Sequence, residues 1–190
     1  MCFYITATMP KGTQLENIRE ILELYRMEFS EINNRMVKAQ LRPGELYFRA
    51  TKDYCDCDTV LGSLNSLQDF QTVSKSKKVK ALKKKNWTDD EINNWINEKV
   101  KAKQNKKNKK FNPLERNEKL DCWISFLHDL LDDKKVSRIG ILKHWYSRGL
   151  IDEEIKIRNT QRISISEVNS DLILNLDEDV LYEIFPIYNF

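Results

Sequence analysis

Residues 75–110 carry fourteen lysines against four acids, Asp89, Asp90, Glu91 and Glu98, for a net charge of +10. A stretch this polar cannot bury enough apolar surface to form the middle of a core. The fold must therefore be assembled from the chain on either side of it. The other 154 residues hold 18 Lys/Arg and 25 Asp/Glu, net −7, so the overall charge of +3 conceals an acidic body with a basic segment spliced into it. Charge divided this way makes two surfaces suited to different partners.

The flanks can supply that core. Apolar residues make up 41% of the 190-residue chain and aromatic ones 10%, and there are only five Gly and four Pro. This fits one domain with an insertion or two small domains, with few long loops outside the lysine tract. The first thirty residues include Glu16, Glu20, Glu23 and Glu28 and lack the apolar run of a secretory signal. No run of apolar residues is long enough for a membrane span. Four cysteines, Cys2, Cys55, Cys57 and Cys122, are too few for a disulfide framework. The expectation is a cytoplasmic protein without a membrane partner.

Residues 3–8, Phe-Tyr-Ile-Thr-Ala-Thr, are β-branched and aromatic and read as a buried strand. Met9-Pro10-Lys11-Gly12 is a turn, and Thr13 with Glu16 has the spacing of a capping box. Leu15, Ile18, Leu22, Tyr25 and Phe29 then predict an amphipathic helix over 14–29. Residues 35–40 fit a short strand, and Glu45–Thr51 reads as another strand. A strand–helix–strand opening of this length suits a βαβ-like crossover.

Residues 59–85 are expected to be helical, ending in Lys83-Lys84-Lys85. Thr88 and Glu91 form another capping box, followed by a narrow apolar stripe of Ile92, Trp95, Ile96 and Val100. Residues 101–110 offer only Ala102 as an apolar side chain and are expected to fray. Asn112-Pro113-Leu114-Glu115 starts a helix afresh, with Asn as cap and Pro in the first turn. Leu120, Trp123, Ile124, Leu127, Leu130 and Leu131 make residues 113–131 the clearest core helix. Beyond it, 138–146, 155–157, 162–165 and 180–185 are strand candidates, and periodicity leaves 166–174 open between strand and helix. The predicted fold class is α+β, with a mixed or antiparallel sheet. The body comprises residues 1–66 and 113–190, and 67–112 is an inserted basic helical hairpin.

Two lysine clusters carry the functional reading. Lys75, Lys77, Lys78, Lys80, Lys83, Lys84 and Lys85 form one; Lys99, Lys101, Lys103, Lys106, Lys107, Lys109 and Lys110 form the other. In a hairpin they are expected to meet at its open end. Lysine is a compact point charge, so such a field attracts phosphates without reading base sequence. Trp87 is a candidate for base stacking, whereas Trp95 lies in the apolar stripe and is expected to pack. The same charges would serve an acidic protein partner or simply solvate a helical arm.

A second cluster is Asp53-Tyr54-Cys55-Asp56-Cys57-Asp58-Thr59, between a strand and a helix. Cys55 and Cys57 offer two thiolates to a metal, with Cys2, Cys122, His128 or His144 to complete the set. Their spacing is not that of a zinc knuckle, and the surrounding aspartates favour the neutral thiol over the nucleophile. The structural alternative is a strand end of small apolar groups, with Asp58 or Thr59 capping the helix.

Met1-Cys2 resembles the start of class II glutamine amidotransferases and of the SOS-response-associated peptidases. The resemblance covers those two residues and implies an N-terminal cysteine whose own amine acts as base. Those families place Gly next, and here Phe3 follows. Gly-x-Gly-x-x-Gly, phosphate-loop, His-Glu-x-x-His and Gly-x-Ser-x-Gly motifs are absent, so neither cofactor nor metal is expected. The sequence favours a binding protein, with a small cysteine-dependent enzyme or metal protein centred on Cys2, Cys55 and Cys57 as its alternative.

Overall fold

The computed structural model describes residues 2–50, 55–56, 59–63, 70, 73–108, 112–132 and 135–187, with the side chains of 2, 63, 103–108 and 113 outside that description. It divides into two compact units: Met1–Gly62 with Leu114–Phe190, and Ser63–Pro113.

The first unit is α+β, built on a six-stranded mixed sheet. In chain order its strands are β1 (Cys2–Pro10), β2 (Ser30–Glu31), β3 (Glu45–Arg49), β4 (Ile139–Tyr146), β5 (Asn159–Ser164) and β6 (Val180–Phe185). They are arranged β2-β3-β1-β4-β6-β5. Its helices are α1 (Leu15–Leu24), α2 (Arg35–Lys38), α3 (Val60–Ser63), α6 (Pro113–Asp132) and α7 (Ser170–Leu174). The second unit contains α4 (Lys77–Lys84) and α5 (Asp89–Asn108).

The opening differs from a simple crossover. β1 pairs antiparallel with β3, Thr8 opposite Tyr47, so these two strands are not a parallel pair. β2 is also antiparallel to β3, and is therefore parallel to β1. The unit β1–α1–β2 is thus a split βαβ, with β3 inserted between its strands. The parallel pair that does lie side by side is at the other end of the sheet, β5 with β6. Their connection, residues 165–179, is long enough to cross back over the sheet.

β1 is buried on both sides because both sheet faces are covered. Phe3, Ile5, Ala7 and Met9 point one way and Thr6 and Thr8 the other, and all are buried. On the first face Phe29 lies 5.9 Å from both Phe48 and Phe126, and Tyr25 lies 5.7 Å from Phe126, so the end of α1 meets α6 over β3. Of the predicted stripe of α6, Leu120, Trp123, Leu127, Leu130 and Leu131 are buried and Ile124 is half-buried, while Phe126, which the sequence reading did not single out, is buried as well. On the second face Ile32, Val37, Tyr47, Leu142, Tyr146, Ile155 and Leu181 form a separate apolar cluster.

Two amides close that second face. Asn34 caps α2 by accepting from the Val37 amide at 3.0 Å, and its Nδ2 donates to the Leu150 and Glu153 carbonyls at 3.1 and 2.8 Å. Gln40 donates to the Ile155 carbonyl at 2.7 Å and accepts from the Ile157 amide at 2.9 Å. These contacts explain two corrections. Residues 35–40 hold a capped helical turn, not a strand. Residues 155–157 lie outside the sheet because their backbone is engaged by Gln40.

Other local expectations also shift. Thr13 does not cap α1; the cap position is Gln14, without a side-chain bond, and Thr13 is drawn into a turn by donating its amide to Pro10. α1 stops at Leu24 and not at 29, because Arg26 adopts φ +52 and the Met27 amide bonds the Leu22 carbonyl. The helix expected over 59–85 is interrupted: a turn at Lys75 precedes Ser76, which caps α4 by accepting from Val79. Residues 165–174 resolve into a 3₁₀ turn, Ile165–Glu167, with a Ser164–Glu167 capping box, followed by α7.

Candidate functional site

The second unit places the lysines. Val79 and Leu82 of α4 pack with Ile92, Ile96 and Val100 of α5 in a small apolar core of their own. Phe70, Val73 and Trp95 pack against it half-buried. The Thr88–Glu91 capping box is present: the Thr88 amide donates to Glu91 Oε2 at 2.8 Å, and the Glu91 amide to Thr88 Oγ1 at 3.3 Å. Those bonds, the backbone one foremost, hold the Glu91 carboxyl below its ordinary pKa. The three acids in the first turn of α5, Asp89, Asp90 and Glu91, sit where the positive helix end favours them.

With the apolar side chains turned inward, Lys75, Lys77, Lys78, Lys80, Lys83, Lys84 and Lys85 are all exposed. Lys99 and Lys101 are exposed on α5, and the Lys99 ammonium lies 5.7 Å from the Trp95 ring centroid. Lys103, Lys106 and Lys107 are on the same helix, while Lys109 and Lys110 lie outside the described residues. Lys83 has an ion-pair neighbour, Asp89 at 3.6 Å, but both side chains are exposed, and such a pair is weak. The first cluster runs the whole length of α4, from Lys75, Lys77 and Lys78 at its start to Lys85 at its end, so only part of it lies toward the open end. Lys83, Lys84 and Lys85 stand at the turn, and Lys99 begins the second cluster roughly 15 Å along α5 from Asp89 at 1.5 Å rise per residue.

The cysteine–aspartate segment is anchored to β1 in the first unit. The Asp56 amide donates to the Phe3 carbonyl at 2.8 Å, and its carboxylate accepts from the Ile5 amide at 2.7 Å. This buried aspartate therefore serves the backbone. Its carbonyl accepts from the Thr59 amide and hydroxyl, and Thr59 Oγ1 in turn accepts from the Gly62 amide. Thr59 thus tethers the start of α3. Cys55 and Cys122 are half-buried and outside any disulfide; the Cys2 side chain and all of Asp53, Cys57 and Asp58 lie outside the described residues. Among the described residues no group of three or more His, Cys, Asp or Glu is arranged to hold a metal ion.

Sequence reasoning missed two groupings of polar side chains in the same unit. His144 on β4 has Nδ1 2.5 Å from Asp179 Oδ1 and Nε2 3.7 Å from Glu153 Oε1, with its ring against Tyr146. Glu153 is itself held by the Ser147 amide and hydroxyl and the Arg148 amide. His128 stands half-buried on α6. The second grouping lines an open groove of about 560 Å³ bordered by Gln40, Leu41, Arg42, Thr160, Arg162 and Glu183. Arg42 reaches the buried Glu183 carboxylate at 2.5 Å and Arg162 approaches it at 3.6 Å. No local motif marks either grouping, since the partners lie up to 141 residues apart.

Fold and surface together define the class: an α+β protein with a separate lysine-bearing helical hairpin. No family model matches the chain, and no curated protein or solved structure matches it either. Among the described residues no helix is long and apolar enough to cross a membrane.

Proposed function

We propose that the protein binds nucleic acid nonspecifically, through the phosphates, with the lysine hairpin as its contact surface. One observation supports this above the others. The hairpin packs through Val79, Leu82, Ile92, Ile96 and Val100, so the seven lysines from Lys75 to Lys85 are all left to solvent. Lysines in such number on so small a unit raise the local potential, and polyanions respond to it by releasing counterions. Ammonium groups carry no bidentate base-reading geometry, so the binding is indifferent to sequence. The natural compartment for this reading is the cytoplasm, where thiols such as Cys55 and Cys122 stay reduced.

The test is salt dependence. If six lysines contact duplex phosphates, log affinity against log salt should fall with a slope of about −5, from about −0.9 per phosphate. Changing Lys83, Lys84 and Lys85 together to Gln should weaken all sequences alike and flatten the slope by up to about 3. Absence of DNA and RNA binding at low salt would remove this reading and leave an acidic protein as the partner. A strong sequence preference would also count against it.

A further inference from the structure

Trp87 stands in the turn between α4 and α5 and is 40% exposed, a large apolar surface to leave in water. Its position is defined by the way α4 ends. The Asn86 amide donates to the Lys83 carbonyl at 3.1 Å, the Trp87 amide donates to the Leu82 carbonyl at 3.3 Å, and Asn86 takes φ +59. This is a Schellman ending, in which the residue at the position of Trp87 commonly rests on the one at the position of Leu82. That contact asks only for an apolar side chain and does not require an indole. Lys83, Lys84 and Lys85, all exposed, precede Trp87 by two to four residues. Trp95 differs: it packs against the small core.

We propose that Trp87 is a stacking platform for an unpaired base, with Lys83, Lys84 and Lys85 holding the adjoining phosphates, so that the preferred ligand is single-stranded nucleic acid. This rests on the phosphate-binding reading above and narrows its ligand. In a duplex the faces of the bases are covered by their neighbours. A single strand offers them, and an aromatic ring fixed beside cationic side chains is how sequence-tolerant single-strand binding is achieved. The Schellman ending fixes the backbone that carries the ring, so less freedom is lost on stacking.

The experiment uses the full chain, a labelled oligothymidylate and a duplex of equal length at matched low salt. Binding is read by anisotropy and by quenching of intrinsic tryptophan fluorescence. The single strand is expected to bind more tightly than the duplex and to quench the emission. Trp87→Leu keeps an apolar side chain for the turn; it should weaken single-strand binding by about tenfold, abolish most of the quenching and leave duplex binding within about twofold. Trp87→Phe, with a smaller ring, should fall between. If single strand and duplex bind alike, without quenching and without a response to Trp87→Leu, stacking is wrong while phosphate binding stands. If neither binds, both readings fall.

Discussion

A β-carbon on Gly62 would run into the carbonyl group of Asp56, its carbon 2.5 Å away and its oxygen closer still. Asp56 has no room to withdraw. Its amide and carboxylate are tied to Phe3 and Ile5 of β1, and its carbonyl takes two bonds from Thr59. Gly62 therefore permits the close approach that lets α3 start directly beneath this loop. Gly62→Ala should destabilise the protein by about 1–3 kcal/mol, the usual cost of overpacking. Thermal unfolding measures it, and an unchanged midpoint would mean that the loop can move aside.

Tyr146 and Tyr47 should make the protein sensitive to alkali. Their hydroxyls are 2.5 Å apart, Tyr47 donates to Thr6 Oγ1 at 3.0 Å, and Thr6 donates to the Leu142 carbonyl at 3.1 Å. Burial pushes the Tyr47 phenol from 10 up to about 12, and burial with Tyr47 beside it raises Tyr146 well above its ordinary value. Both phenols thus keep their protons in the fold after the unfolded chain has begun to lose them. Their contribution is complete below pH 10 and is lost as pH climbs toward about 12 and beyond. Melting followed from neutral to strongly alkaline pH should show this decline, and Tyr146→Phe should make it shallower. At neutral pH Tyr47→Phe should cost about 1–3 kcal/mol, because it removes the hydroxyl that bonds both Thr6 and Tyr146 inside the protein.

Glu153 should act at the acid end. Burial raises its carboxyl, but the donors Arg148 N and the Ser147 hydroxyl and amide outweigh burial and hold it below 4.5. A depressed carboxyl stabilises the fold above its unfolded pKa and ceases to do so as pH falls through its folded one. Glu153→Gln should lower the melting temperature at neutral pH and flatten the loss of stability below pH 4.5. An acid profile identical to that of the unchanged protein would show that the 147–153 turn holds together without this charge.

The hairpin should be dispensable for folding. Its buried residues Val79, Leu82, Ile92, Ile96 and Val100 pack on one another, and the helix α6 and sheet cores lie in the other unit. A short flexible linker in place of residues 70–110 should leave a single cooperative melt while removing polyanion binding. Loss of that melt would show the segment to be part of the body.

Much of the chemistry confined to a few neighbouring residues was legible in the chain, although the Thr13–Glu16 spacing produced no cap. The Thr88–Glu91 box, the Pro113 start and the buried stripe of α6 follow from spacing alone, because donor, acceptor and apolar face lie within one or two turns. The exposure of the lysines from Lys75 to Lys101 follows as well, since little apolar alternates with them to draw them inward. Residues 35–40 were not legible. Arg-Met-Val-Lys-Ala-Gln suits strand and helix about equally, and the choice falls to Asn34, whose amide is satisfied by carbonyls more than a hundred residues away.

By itself the sequence determined the charge division, the α+β class and the most strongly patterned elements, β1, β3, α6 and β4, all set by short-range spacing and composition. Only the tertiary structure decided that β3 enters between β1 and β2, that Arg26 and Asn86 end their helices left-handed, and that Glu183 gathers Arg42 and Arg162. Strand direction, ion pairing and the burial of a given ring depend on which distant segments are brought together. That is settled by the free energy of the packed whole and leaves no periodic trace in the chain.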